Sequence, residues 1–86
     1  MSTLKQEKEL LDNFNIVILG KLRANRFKSH WRTLSIEDTI KRIDEELLEL
    51  KEAIKVGKKA HIVMEAADVA VFCAMLFDNI TRPETE

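Results

Sequence analysis

Three segments of this chain place apolar residues at helical spacing, and polar clusters, a glycine and a proline mark the breaks between them. The first carries Leu4, Leu11, Phe14, Val17, Ile18 and Leu22 as roughly one stripe. Leu10, Ile16 and Leu19 widen that stripe beyond what one partner helix would cover. Thr3 and Gln6 have the spacing of a capping box, so a helix is predicted over about 3–24. Gly20 interrupts it, weakening it by up to about 1 kcal/mol relative to Ala and marking a place for a bend or a close helix contact. Residues 25–34 lose the periodicity and gather Asn25, Arg26, Lys28, Ser29, His30, Trp31 and Arg32, which reads as a loop with an aromatic anchor.

Ser35 is placed to cap a second helix, with Glu37 and Asp38 in the first turn, where the helix dipole favours negative charge. Ile36, Ile40, Ile43, Leu47, Leu50 and Ile54 follow in alternating steps of four and three, the seam of an antiparallel bundle or coiled coil. Glu46 falls at the edge of this seam and Glu49 further round, at about 100° per residue. Ala53 continues their face. Leu48 points away from the seam, so a second surface of this helix is also expected to be covered. Lys55, Gly57, Lys58 and Lys59 close the helix at about 56, with cations at its C-terminus and a glycine suited to the left-handed cap.

A third helix is predicted over 59–80, stopped by Thr81, Arg82 and Pro83. From Ile62 to Phe77 every residue is apolar or small except Glu65 and Asp68, so this helix is expected to be buried nearly all round. Three such helices carry more apolar surface than they can bury on one another. The reading is therefore one all-α domain over 1–86, a three-helix chain associating as a dimer or tetramer of four-helix-bundle type, with the third helix near the centre.

Composition narrows the picture. At 86 residues the chain has room for one domain at most, and two glycines, one proline and no tyrosine leave little material for strands. A formal net charge of −1 argues against a nucleic-acid partner or a polybasic membrane contact, either of which would show a basic excess. The polar stretch 1–9 does not read as a signal peptide. The apolar stretch 62–77 reads as too short for a membrane span, and it carries two acids. The single cysteine, Cys73, reads as a buried small hydrophobe. A cytoplasmic location follows as the plain expectation.

The chemistry lies in the carboxylates. Glu46 and Glu49 stand three residues apart on one helix, Glu65 and Asp68 three apart on the next, so each pair shares a helical face. A buried carboxylate costs several kcal/mol unless something neutralises it, and four facing one another call for a cation. Arg42, four residues before Glu46, is placed to bridge to it as an ordinary surface pair. Oxygen ligands alone favour a hard ion: Mg²⁺ first, then Mn²⁺ or Ca²⁺. Mg²⁺ usually shares its positions with phosphate oxygens, which points to a phosphate-bearing substrate.

Glu45-Glu46-x-x-Glu49, a fifteen-residue spacer, then Glu65-x-x-Asp68 resembles the signature of the MazG-type all-α nucleoside triphosphate pyrophosphohydrolases, EExxE followed by ExxD. Lys21-Leu22, Asn25-Arg26, Lys28 and Trp31 look like the lead-in of small single-domain members, and the resemblance covers roughly residues 21–77. It implies hydrolysis of a nucleoside triphosphate to monophosphate and pyrophosphate, with Mg²⁺ held by Glu46, Glu49, Glu65 and Asp68. Glu49 or Glu46 would orient or deprotonate the attacking water. Glu45 completes the motif as a carboxylate supporting the ligands, a lysine partner, or an exposed residue. The chain departs from the family at Val71, where small members often carry Asn, and in ending soon after the third helix, with either Asn79 and Arg82 or a neighbouring subunit as stand-ins for the basic contacts of a further helix.

Trp31 reads either as a base-stacking ring or as a hydrophobic plug, with Lys28 and Arg32 as candidate phosphate contacts. His30 and His61 lack partners at ligand spacing. The rival to an enzyme is a non-catalytic helical interaction module, or a relative that binds nucleotide or metal without turnover.

Overall fold

The protein is described here by a computed structural model, which covers residues 1–24 and 31–83. Helix α1 spans Leu4–Ala24, α2 spans Ile36–Val56 and α3 spans Lys59–Thr81; a single 3-10 turn, Trp31–Thr33, precedes α2. No strand occurs among the described residues. The chain is all-α.

Local chemistry sets these boundaries. Thr3 and Gln6 form the reciprocal cap of α1: the Thr3 amide donates to Gln6 Oε1 at 2.8 Å, and the Gln6 amide donates to Thr3 Oγ1 at 3.2 Å. Ser35 Oγ accepts from the Asp38 amide at 3.0 Å and opens α2. Gly57, at φ 85°, closes α2 in the left-handed region, its amide donating to the Ala53 carbonyl. α1 runs through Gly20 without a break, and no described atom lies within 4 Å of where its Cβ would be, so no close helix contact forms there.

α3 is the element against which α1, α2 and the 3-10 turn all pack. The α2–α3 contact is tight because its centre is small. Ala53, Ala67 and Val71 are the buried apolar residues, and Thr39 is wholly buried with its hydroxyl donating to the Ser35 carbonyl at 2.8 Å. Along α2 the inward row is Thr39, Ile43, Glu46, Leu50 and Ala53, again in steps of four and three. The Ile36, Ile40, Leu47 and Ile54 row, expected from the sequence to be the seam, lies one residue round and stays exposed. Only the second half of α1 docks, through Val17, Ile18, Lys21 and Leu22, which are half-buried.

The expectation that α3 is buried nearly all round does not hold within one chain, where Val63, Met64, Phe77 and Ile80 are exposed. Cys73, expected to be buried, is exposed there too. At 23 residues, α3 is also longer than the apolar stretch read from the sequence, and by length and composition it is long enough to cross a membrane.

The two glycines should respond oppositely to alanine. Gly20→Ala, in an open helix interior, is expected to stabilise the chain by up to about 1 kcal/mol. Gly57→Ala must hold a Cβ at positive φ and is expected to cost about 1–2 kcal/mol. Urea denaturation of both variants checks the pair of signs.

Candidate metal centre

α2 carries Glu46 into the inward row, between Ile43 and Leu50, so this carboxylate sits where the seam would ordinarily take an apolar side chain. Glu49, one turn further on, stands exposed at the rim. From α3, Glu65 reaches the same spot with a side chain only 16% exposed. One oxygen from each of Glu46, Glu49 and Glu65 lies within 4.8 Å of the other two. Oxygens on opposite sides of one hard cation stand about 4 Å apart for Mg²⁺ and about 5 Å apart for Ca²⁺, so small side-chain rotations would close the three around a single ion.

The electrostatics of the cluster are strained. Burial, a hydrogen bond with Glu49 and the charges of Glu49, Asp68 and Glu65 push the Glu46 carboxyl up to about 7. Glu65 Oε1 lies 3.3 Å from His61 Nε2, one helical turn away. Its Oε2 is buried and has no hydrogen-bond partner among the described residues. Such an orphaned acceptor is costly, and a positive ion is the ligand its chemistry fits. Beside the cluster, a groove of about 370 Å³ is lined by Leu48, Glu49, Glu52, His61 and Glu65.

The other residues named from the sequence fall elsewhere. Asp68 does not join the three-oxygen group; Lys21 Nζ of α1 holds its Oδ1 at 2.8 Å. Glu45 is exposed and paired with Arg42 at 3.2 Å, so Arg42 bridges to Glu45 and not to Glu46. Val71 belongs to the small core. Trp31 acts as a plug at the far end of α3: its Nε1 donates to Asp78 Oδ2 at 2.9 Å, and its carbonyl accepts from Asn79 Nδ2 at 2.9 Å. Arg32 Nε also reaches Asp78, at 3.4 Å, and Arg82 reaches Asn79 Oδ1, at 3.5 Å. The Trp31 bond, then the Arg32 charge and hydrogen bond, hold the Asp78 carboxyl below its ordinary range. Asp78 lies thirteen residues beyond Glu65 on the same helix, about 20 Å along its axis, so the structure does not bring Trp31 and Arg32 to the acids. Lys28 lies outside the described residues, as do Asn25, Arg26 and His30.

Lys21 and His61 are the site neighbours that spacing alone missed as partners. His61 was within reach of helical arithmetic, being four residues before Glu65. Lys21 was not, since nothing local links it to Asp68. No protein-family model, no curated protein and no solved structure matches the chain.

The raised Glu46 pKa has a definite consequence for stability. The folded chain keeps a proton that an ordinary glutamate, at 4.5, would release, so this contribution is full below about pH 4.5 and is lost as pH rises through about 7. The metal-free chain is expected to lose stability across that window, and Glu46→Gln to flatten the loss. Urea midpoints measured at a series of pH values check both.

Proposed function

We propose that this chain is a Mg²⁺-dependent nucleoside triphosphate pyrophosphohydrolase of the MazG type, acting on a ribo- or deoxyribonucleotide. The observation that carries the reading is the convergence of three carboxylate oxygens from two helices, one of them from Glu65, whose buried Oε2 has no partner among the described residues. Glu46, Glu49 and Glu65 would hold the ion, with Mn²⁺ able to replace Mg²⁺, and Asp68 stands beside them as the fourth ligand the motif resemblance implies. The ion, when bound, supplies charge neutralisation along the phosphates and polarises the α-phosphorus. The protein's own part is to orient a water in line with the leaving pyrophosphate. Glu49 or Glu46 takes the proton of that water as the new P–O bond forms and the α–β bridge breaks. Exposed Glu49, at the mouth of the groove, is the better placed of the two to meet solvent.

Association into a dimer or tetramer belongs to the same reading. The chain exposes 7008 Å², whereas a compact monomer of 10.0 kDa exposes about 5,200 Å². Its radius of gyration, 14.5 Å, likewise exceeds the roughly 12 Å of a compact chain this long. The surplus, about 1,800 Å² per chain, is what an obligate homodimer interface covers on each partner. A water-soluble, cytoplasmic setting fits the acids of α3, since each charge near the middle of a membrane span costs about 3 kcal/mol.

A second reading, a non-catalytic helical module, draws on the neutralisation of Asp68 by Lys21, which a purely structural acid would also show. Turnover separates the two. With Mg²⁺ and a panel of triphosphates, the protein is expected to yield monophosphate and pyrophosphate. Chelation should abolish this, and Glu46→Gln or Glu65→Gln should lower kcat by about a hundredfold or more. Metal binding without turnover on any triphosphate would favour the module. Sedimentation equilibrium should show a dimer or tetramer, and Ile40→Glu with Leu47→Glu on the exposed α2 row should dissociate it.

A further inference from the structure

Asp68 stands on the same face of α3 as Glu65, within one turn. Yet its Oδ1 is held by Lys21 Nζ at 2.8 Å, with the two side chains 27% and 18% exposed. That lysine comes from the last turn of α1, so a third helix is tied into a site otherwise built from two. A pair this shielded from water responds strongly to any new charge nearby. A divalent ion seated among Glu46, Glu49 and Glu65 would repel the ammonium held on Asp68, one helical turn of α3 from Glu65, and compete for the same carboxylate as the harder and doubly charged partner.

We propose that Lys21 is an exchangeable counter-ion. It neutralises Asp68 while the centre is empty of cation. When a divalent ion binds, Asp68 passes to the ion as a further ligand, and the released ammonium becomes the group that meets the phosphate oxygens of the substrate. This rests on the metal-centre reading of the acids and adds to it a residue from α1 with two successive partners, a carboxylate and then a phosphate. The exchange also orders binding: the ion comes first, because only then does the lysine face an anion it can bind.

The test uses two probes, Mn²⁺ alone and inorganic tripolyphosphate added to Mg²⁺-loaded protein, both followed by titration calorimetry. Lys21→Met should bind Mn²⁺ about tenfold more tightly than the wild type, having lost a competing positive charge. The same variant should bind tripolyphosphate about tenfold more weakly, and Lys21→Arg should recover the phosphate affinity. In an Asp68→Asn background the gain in Mn²⁺ affinity from Lys21→Met should shrink, because no carboxylate remains to be released. A lysine with only a structural role would weaken both bindings together. Mn²⁺ affinity in Lys21→Met equal to or below the wild type's, or an unchanged tripolyphosphate affinity, would overturn the exchange. Failure of the wild type itself to bind Mn²⁺ would instead overturn the metal-centre reading beneath it. Should Lys21→Met lose its helical circular dichroism, Lys21→Gln takes its place with the same expectations.

Discussion

Like charges pressed together between two helices are the constraint around which this chain is arranged. Glu46 occupies a position in the α2–α3 seam equivalent to those of Thr39 and Ala53, which are both fully buried. It faces Glu65 from the opposite helix, with Glu49 at the rim and Asp68 one turn further along α3. The repulsion is met in part: burial and the neighbouring charges raise the Glu46 carboxyl to about 7, an imidazole nitrogen lies against Glu65, and an ammonium lies on Asp68. The unpartnered Glu65 oxygen marks the place where the neutralisation is incomplete.

The convergence requires the two helices to approach closely, and small side chains make that possible. Ala53 and Ala67 are buried where a larger residue would hold the backbones apart. The consequence is a sparse interior: a seam made of alanine, threonine and valine buries little apolar area. The large residues, among them Leu47, Leu48, Ile54, Met64 and Phe77, are left facing outward. A core this thin holds a lone chain weakly. The geometry that gathers the acids and the surplus of uncovered apolar surface therefore have one cause, and a second copy of the chain would supply the burial that the first cannot.

This arrangement explains what was legible in the sequence and what was not. Helix ends were, because capping is local chemistry: Ser35 and Gly57 mark α2 within a residue, and Thr3 with Gln6 marks α1. The seam of α2 was misplaced by one position. Two rows with the same period of seven run side by side, sharing Ile43 and Leu50. The row richer in isoleucine and leucine is the one left outside, since close helix contact selects small residues rather than large ones. The convergence of Glu46, Glu49 and Glu65 could be anticipated from spacing and from the incongruity of acids in an apolar helix. The capture of Asp68 could not, because Lys21 stands 47 residues earlier and reaches it only through the docking of α1. Trp31 was ambiguous for a similar reason: an indole in a loop serves a base or a core equally well until the partner of its N–H is known, and here that partner is Asp78.

A purely structural role for the cluster fits poorly with where the sequence puts its acids. An apolar side chain in place of Glu46 would extend the Ile43–Leu50 contact, remove the repulsion from Glu49 and Glu65, and hold α2 to α3 more firmly. The exposed α2 row shows that isoleucine and leucine are freely used on this helix, so the carboxylate is not there for want of alternatives. Its presence lowers the stability of the metal-free chain at neutral pH, since the proton that relieves it is lost near 7. Local departures from the best-packed choice concentrate where a site has work to perform. Glu46 is such a departure, set beside a groove lined by Glu49, Glu52 and Glu65 that offers negative charge and, in Leu48, one apolar wall. Phosphates would be repelled by that lining unless a cation came first. The same ordering of ion before anion is what the exchange proposed for the Lys21–Asp68 pair would impose.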